Sequence, residues 1–320
     1  MIEIESLHKN YGRHSALEDF SLRIETGELF GLVGPNGAGK TTLIKILATL
    51  QPPNSGKARI DGHDVVAEPS AVRASIGYLP DVPGLYQDMR VGEFLEFFAD
   101  AFHLQEPRRR SAIEQALGRA GLGGRRNDFV EQLSLGMKQR LILTKTLLHD
   151  PKVLLLDEPA TGLDPLARVE LRKLLKELNR EGLTIFLSSH ILSDLEDICT
   201  RVALIAGGRN AAGADGQSVI TLSAYAGTRP DEPGVICEIE VVGDAQIAAS
   251  AAAGISGARV LSAEGQRLRV ALPSGPEQGT PLLQKLLAAG VTVVHFDARG
   301  PRLEERYRQA FEAKGPGSQI

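Results

Sequence analysis

The sequence predicts an α/β protein of two domains, a larger one built around a buried parallel sheet and a smaller α+β one after it. Three observations carry this. Over the first two thirds of the chain, short apolar runs alternate with longer amphipathic ones. ELFGLVG, KVLLLDEP and LTIFLSSH are continuously apolar and end in polar residues, as strands covered on both faces do. From residue 235 onward the segments follow the order β-α-β-β-α-β, a ferredoxin-like signature.

The larger domain opens with IEIESLHKNYG and ALEDFSLRIETG, whose period-two alternation predicts antiparallel strands. ELFGLVG follows as a buried strand, then a glycine-rich turn and the helix KTTLIKILATL. Residues 90–149 are mostly helical, through VGEFLEFFADAFHL, RRSAIEQALGRAG and MKQRLILTKTLLHD. KVLLLDEP and LTIFLSSH return to strand, and the domain is expected to span residues 1–212. Residues 213–234, within NAAGADGQSVI and YAGTRPDEPG, are rich in Gly, Ala, Pro and Asp and read as a linker. Residues 235–320 hold VICEIEVVG, AQIAASAAAG, ARVLSAE, RLRVALP, PLLQKLLAAG and VTVVHFDA. A last helix, PRLEERYRQAFEAK, aligns Leu303, Tyr307, Ala310 and Phe311 on one face, expected to pack on the protein itself.

Composition narrows the function. Of 320 residues 42% are hydrophobic and 24% charged, ordinary for a soluble globular chain. A net charge of -4 gives no basic bias towards nucleic acid or anionic lipid, so no nucleic-acid partner is expected. No window reaches the roughly 20 apolar residues that span a bilayer, and the N-terminus lacks the apolar core of a signal peptide. Cys199 and Cys237 are far apart without metal-type spacing and read as reduced thiols. The expectation is a cytoplasmic protein whose membrane role needs a separate membrane subunit.

The chemistry lies in three strand ends. GPNGAGKT, Gly34 to Thr41, fits G-x-x-x-x-G-K-[ST] between a strand and a helix. Gly34, Gly37 and Gly39 let successive backbone N–H groups face phosphate oxygens, and the helix N-terminus adds partial positive charge. Lys40 reaches the β- and γ-phosphates, and the Thr41 hydroxyl suits Mg²⁺. In VLLLDEP, Asp157 and Glu158 emerge where α/β ligand sites lie; Asp157 suits Mg²⁺ and Glu158 a water aimed at the γ-phosphate. LSSH brings His190 to the same edge, to bond the γ-phosphate or the attacking water. His8, His14, His63, His103, His149 and His295 have no comparable context and receive no role.

GPNGAGKTT, LSLGMKQR, LLLDEP, TGLDP and SSH, in that order, resemble the nucleotide-binding subunit of an ATP-binding cassette (ABC) transporter. The resemblance covers about residues 1–210. It implies a P-loop NTPase core with an antiparallel β subdomain and a helical subdomain, an ATPase activity, and ATP with Mg²⁺ as cofactors. Tyr11 matches the aromatic that stacks on adenine. Gly34, Asn36, Gly37, Ala38, Gly39, Lys40, Thr41 and Thr42 match the ATP-binding loop. Ser134, Leu135, Gly136 and Met137 match the signature loop, which closes on ATP held by a second subunit. Glu158 matches the catalytic glutamate, Asp164 the loop that crosses between protomers, and His190 the switch histidine.

Two departures qualify the resemblance. Asp81, after IGYLP, stands where the family usually has Gln; a carboxylate can ligate Mg²⁺ but cannot donate as an amide does. The signature reads L-S-L-G-M rather than L-S-G-G-Q. Both resemble a bacterial branch that works with separate export permeases, including antibiotic- and drug-resistance systems. The resemblance implies a multi-span permease partner and a second ATP-binding subunit, here a homodimer, peripheral on the cytoplasmic face of the membrane. The segment from Asp81 to Arg90 is the expected permease contact. Two alternatives stay open: a soluble ABC ATPase acting on ribosomes or DNA, and a nucleotide-gated interaction module with little hydrolysis. A single motif set without a long heptad run weighs against the first; Asp81 favours the second.

Overall fold

The structure is a computed structural model that describes residues 1–196, 198–211, 219–221, 235–255, 257–272 and 279–299. The chain divides into two compact units, Met1–Ile220 and Thr221–Ile320. The division falls inside the stretch expected to be a linker. The helix expected over PRLEERYRQAFEAK lies outside the described residues.

In the first unit the chain runs β1 (Ile2–Tyr11), β2 (His14–Ile24), β3 (Leu29–Val33), α1 (Lys40–Leu47), β4 (Ser55–Ile60), β5 (His63–Asp64), α2 (Pro69–Ser75) and β6 (Ile76–Leu79). Three helices follow: α3 (Val91–Ala101), α4 (Arg108–Ala120) and α5 (Leu135–Lys145). Then come β7 (Val153–Leu156), α6 (Pro165–Arg180), β8 (Thr184–Ser189), α7 (Leu192–Glu196), β9 (Arg201–Ala206) and β10 (Arg209–Asn210), and β11 (Val219–Thr221) spans the division. The second unit holds β12 (Val235–Val241), α8 (Ala245–Ala252), β13 (Arg259–Glu264), β14 (Arg267–Leu272), α9 (Gly279–Ala288) and β15 (Val293–Arg299).

The central sheet has the order β10-β9-β3-β8-β7-β6, with β11 beside β9. β9, β3, β8, β7 and β6 are parallel. Every residue of β3, β7 and β8 is buried, which is why these strands read as unbroken apolar runs. Phe30 and Phe186 meet across β3 and β8 with ring centroids 6.1 Å apart. Burying each is worth about 2–3 kcal/mol. The carboxyl ends of all five strands open on one edge, and the loops there carry the chemistry. A second, antiparallel sheet, β2-β1-β4-β5, packs its inward residues Ile2, Ile4, Leu7, Leu17 and Phe20 into the same core.

The three helices α3, α4 and α5 form their own core around Phe94, Leu95, Leu117 and Leu141. Glu93 accepts from the Arg90 N–H and starts α3; Gly121, left-handed at φ 67°, ends α4. In the second unit the sheet order is β13-β14-β12-β15, antiparallel throughout. One sheet face, with Cys237, Ile239, Val241, Leu268 and Val270, packs on Ala248, Ala252, Leu282 and Leu286 of the two helices. This is the ferredoxin-like arrangement the element order predicts. Cys199 and Cys237 are both free and buried.

The sequence reading differs from the structure at residues 219–221. Val219, Ile220 and Thr221 are β-branched and form β11, where a linker was expected. No helix among the described residues is long and apolar enough to cross a membrane.

Candidate functional site

The phosphate loop owes its shape to close backbone approach. A side chain at Gly39 would meet Ala16 O at 2.4 Å, and its φ of +106° excludes other residues at little extra cost to glycine. A side chain at Gly34 would meet Ile205 O at 2.3 Å. The loop is thus wedged between β2 and β9 and opens directly into α1. Gly39 caps α1 without a side-chain bond, and the first turn holds no acid. Its leading N–H groups and helix dipole are therefore left for an anion.

A cleft of about 420 Å³ lies over this loop, within the size range of nucleotide-sized sites. Tyr11, Asn36, Gly37, Ala38, Gly39, Lys40, Thr41, Thr42, Asp81, Glu158 and His190 line it. Residues far apart in sequence are brought to one cavity. Three further residues line it that the sequence reading did not assign: His14, Ala16 and Thr161. His14, passed over for lack of context, reaches the cleft because the β1–β2 hairpin folds over the phosphate loop.

Lys40 is almost wholly buried and donates to Gly34 O at 2.8 Å and Pro35 O at 3.2 Å. Its Nζ also pairs with Glu158 Oε1 at 3.2 Å. The other oxygen, Glu158 Oε2, pairs with His190 Nδ1 at 2.7 Å and accepts from His190 N at 3.3 Å. His190 therefore bonds the glutamate, a contact the sequence reading did not assign. Glu158 adopts φ +49°, a left-handed conformation that costs a non-glycine residue about 1–3 kcal/mol. Its N–H donates to Ser188 Oγ at 3.0 Å.

Asp157, unlike its neighbour Glu158, is not part of the cleft lining. It is fully buried beneath the loop. Ser188 Oγ donates to Asp157 Oδ1 at 2.7 Å, so one hydroxyl orients both neighbouring acids. Sequence reasoning missed Ser188; its only signal was a hydroxyl at the end of a buried strand. Burial pushes the Asp157 carboxyl up from its ordinary pKa, the Ser188 and Thr41 hydroxyls pull it back, and the Asp81 and Glu158 charges push it up further. Burial, then Asp157 and Asp81, raise the nearby Tyr78 phenol to about 12.

Asp157 Oδ2 is buried and makes no hydrogen bond. A bare buried carboxylate oxygen, with the Thr41 hydroxyl and the Asp81 carboxylate close by, fits a hard divalent cation. Among the described residues no group of three or more His, Cys, Asp or Glu makes a ready metal cage. Mg²⁺ suits such a site, since it uses one or two carboxylates and takes its other positions from phosphate and water.

Ser134 and Asp164 act locally as helix caps. Ser134 Oγ accepts from Met137 N at 3.3 Å at the start of α5. Asp164 Oδ1 accepts from Ala167 N at 2.9 Å, with Pro165 at the first position of α6. Neither they nor Leu135, Gly136 and Met137 line the cleft. Gly136 has a reason inside the chain: a Cβ there would stand 2.7 Å from Ala167 Cβ, where α5 meets α6. Gly136→Ala is expected to destabilise the chain by about 1–3 kcal/mol in urea unfolding. Ala167→Gly added to it should recover part of the loss, and additive losses would show that this contact is not the cause.

The comparisons with known proteins agree with this geometry. A family model described as ABC transporter matches residues 17–161. The daunorubicin resistance ATP-binding protein of Streptomyces coeruleorubidus is 38% identical over 208 residues, 65% of this chain and 66% of that protein. The Nod factor export ATP-binding protein I of Paraburkholderia xenovorans is 37% identical over 211 residues, 66% of this chain and 69% of that protein. The dimeric structure of a bacterial ABC transporter cassette superposes with a TM-score of 0.61 at 25% identity, covering 69% of this chain and 99% of that one. The chain belongs to the ABC transporter family, as one of its ATP-hydrolysing subunits.

Proposed function

We propose that the chain drives a membrane exporter by binding ATP between two copies, closing them together, and releasing them on hydrolysis. One observation carries the reading. Lys40, Glu158 and His190 are bonded in line over the phosphate loop, whereas the signature loop, Ser134 to Met137, lies outside the lining of that cleft. This supports a reading in which one chain holds the two halves of an ATP site apart and a second chain joins them.

In this reading Tyr11 stacks on adenine and residues Gly34 to Thr42 wrap the phosphates. Lys40 neutralises the β- and γ-phosphates, exchanging Glu158 for phosphate oxygen as its partner. Thr41, Asp157 and Asp81 would hold Mg²⁺, which supplies charge neutralisation on the phosphates. Glu158, freed from Lys40, takes the proton of the attacking water, and His190 holds the glutamate in place through Nδ1. From the second copy, the Ser134 hydroxyl and the N-terminus of α5 approach the γ-phosphate. Asp164 begins α6 beside this contact. Loss of the γ-phosphate removes what the two copies share, and the pair reopens.

The relatives named for drug resistance and export support the exporter assignment, with a multi-span permease as partner and the Asp81–Arg90 segment as its contact. Within that segment Val82 is 85% exposed and Tyr86 half exposed, apolar surface suited to docking. The test is capture from detergent-solubilised membranes on the immobilised chain. Recovery of a membrane protein with several spanning helices is expected; recovery of ribosomes or DNA would overturn the reading.

Asp81 gives a second test. Asp81→Gln is expected to raise the Mg²⁺ concentration for half-maximal ATPase activity about tenfold. An unchanged requirement in a magnesium titration would remove Asp81 from the metal site.

A further inference from the structure

Four consecutive residues at the end of β1 are fastened to the turn that follows α1. His8 O accepts from Asn54 N at 2.8 Å. Lys9 Nζ donates to Pro52 O at 2.7 Å, and Asn10 N donates to Asn54 Oδ1 at 2.7 Å. Tyr11 Oη donates to Gln51 Oε1 at 2.5 Å. Gln51 then turns its other amide atom inward, and Nε2 donates to Thr42 O at 3.3 Å, in the first turn of α1. Tyr11 and Thr42 both line the nucleotide cleft; Gln51 does not.

We infer that Gln51 is a positioning residue that locks the Tyr11 ring to the phosphate-loop helix, so that base platform and phosphate cradle form one rigid unit. The inference rests on the reading of Tyr11 as the residue that stacks on the base. The Tyr11 side chain is 48% exposed at a strand end, where packing alone leaves its ring free to turn. Freezing an unheld ring when ATP arrives costs rotamer entropy, which a ring already fixed by its hydroxyl has lost beforehand. Lys9 Nζ, 5.4 Å from the ring centroid, adds a cation over the ring and steadies it further.

The chemistry of the link asks for an amide. The Tyr11 hydroxyl needs an acceptor and the Thr42 carbonyl needs a donor, and glutamine offers both on one planar group. Leucine offers neither, and glutamate only the acceptor. Tyr11 and Gln51 are 40 residues apart in sequence. Gln51 couples the base site and the phosphate site without touching the nucleotide.

The experiment compares two ligands on the full chain by calorimetry in the presence of Mg²⁺: ATP, and inorganic tripolyphosphate, which has phosphates but no base. Gln51→Leu is expected to weaken ATP about three- to tenfold, the worth of one hydrogen bond, and to leave tripolyphosphate affinity unchanged. Tyr11→Phe, which keeps the ring and removes the hydroxyl, should weaken ATP by a similar factor. Gln51→Leu placed in the Tyr11→Phe background should then add nothing. Equal weakening of both ligands would mean that Gln51 acts only through α1, and independent, additive losses would mean that it does not act through Tyr11; either overturns the inference, as does unchanged ATP affinity. The underlying reading fails in a different way. If Tyr11→Ala leaves ATP affinity at the wild-type value, Tyr11 is not the base platform at all.

Discussion

Glu158→Gln is expected to lower the steady-state ATPase rate by about 10²–10⁴-fold, the usual contribution of a positioned general base, while ATP still binds. The geometry separates the two effects. The amide has the size of the carboxylate and can still accept from the His190 N–H, which lies 3.3 Å from Oε2. It cannot take a proton from water at neutral pH. Lys40 loses a charged partner at 3.2 Å but keeps the carbonyls of Gly34 and Pro35, so the phosphate cradle persists. With hydrolysis stalled, the proposed closure would persist, the γ-phosphate holding two copies together. Size-exclusion chromatography with and without ATP should therefore show a dimer that the wild type forms only transiently. Near-normal turnover in this variant would remove Glu158 from the catalytic role. Loss of turnover without an ATP-dependent dimer would retain the base and remove the closure cycle.

The sequence carries the parts of this site that depend on local context. Lys40 and Thr41 are legible because a buried strand, a glycine turn and a helix start follow one another within a short stretch. Asp157 and Glu158 are legible because an apolar run ends on them. The β-α-β-β-α-β order of the second unit is legible from alternation and apolar spacing alone, and the sheet order follows from it. What escapes is set by contacts distant in sequence. Ser188 looks like any polar residue at a strand end until Asp157 and Glu158 are beside it. His14 becomes part of the cleft only once the β1–β2 hairpin crosses the phosphate loop. Gly136, read as a place for nucleotide approach, also needs the position of Ala167 to explain it. Residues 219–221 are too short, beside glycine and aspartate, to show an alternation; pairing with β9 makes them a strand. The difference in placement between Asp157 and Glu158, one buried and one lining the cleft, is invisible in a two-letter run, because it depends on the loops packed over the strand end.

Lys40→Ala should reduce ATP affinity by about 10²–10⁴-fold or more, since two charge-assisted contacts to phosphate are each worth about 1.5–3 kcal/mol. The effect is larger here than loss of contacts alone. Glu158 is only 11% exposed and has Lys40 as its cationic partner in the cleft. Without the lysine, the Glu158 carboxylate keeps only its His190 contacts, and its charge, facing the proposed position of the γ-phosphate, repels it. The same change lowers the stability of the nucleotide-free chain, because a buried charge loses its lysine partner. Thermal unfolding separates the two consequences. The wild-type chain with ATP at about 100 times its dissociation constant gains about 2.7 kcal/mol of stability by linkage. Lys40→Ala should unfold at a lower temperature and gain almost nothing when the same ATP is added. Lys40→Arg tests whether charge alone suffices. The planar guanidinium is longer and wider than the ammonium, and the cradle of Gly34 O and Pro35 O at 2.8 and 3.2 Å is built for a compact donor. Arginine is therefore expected to restore stability more than affinity. An unchanged calorimetric affinity in Lys40→Ala would take the phosphate loop out of ATP binding, and with it the site on which the other assignments rest.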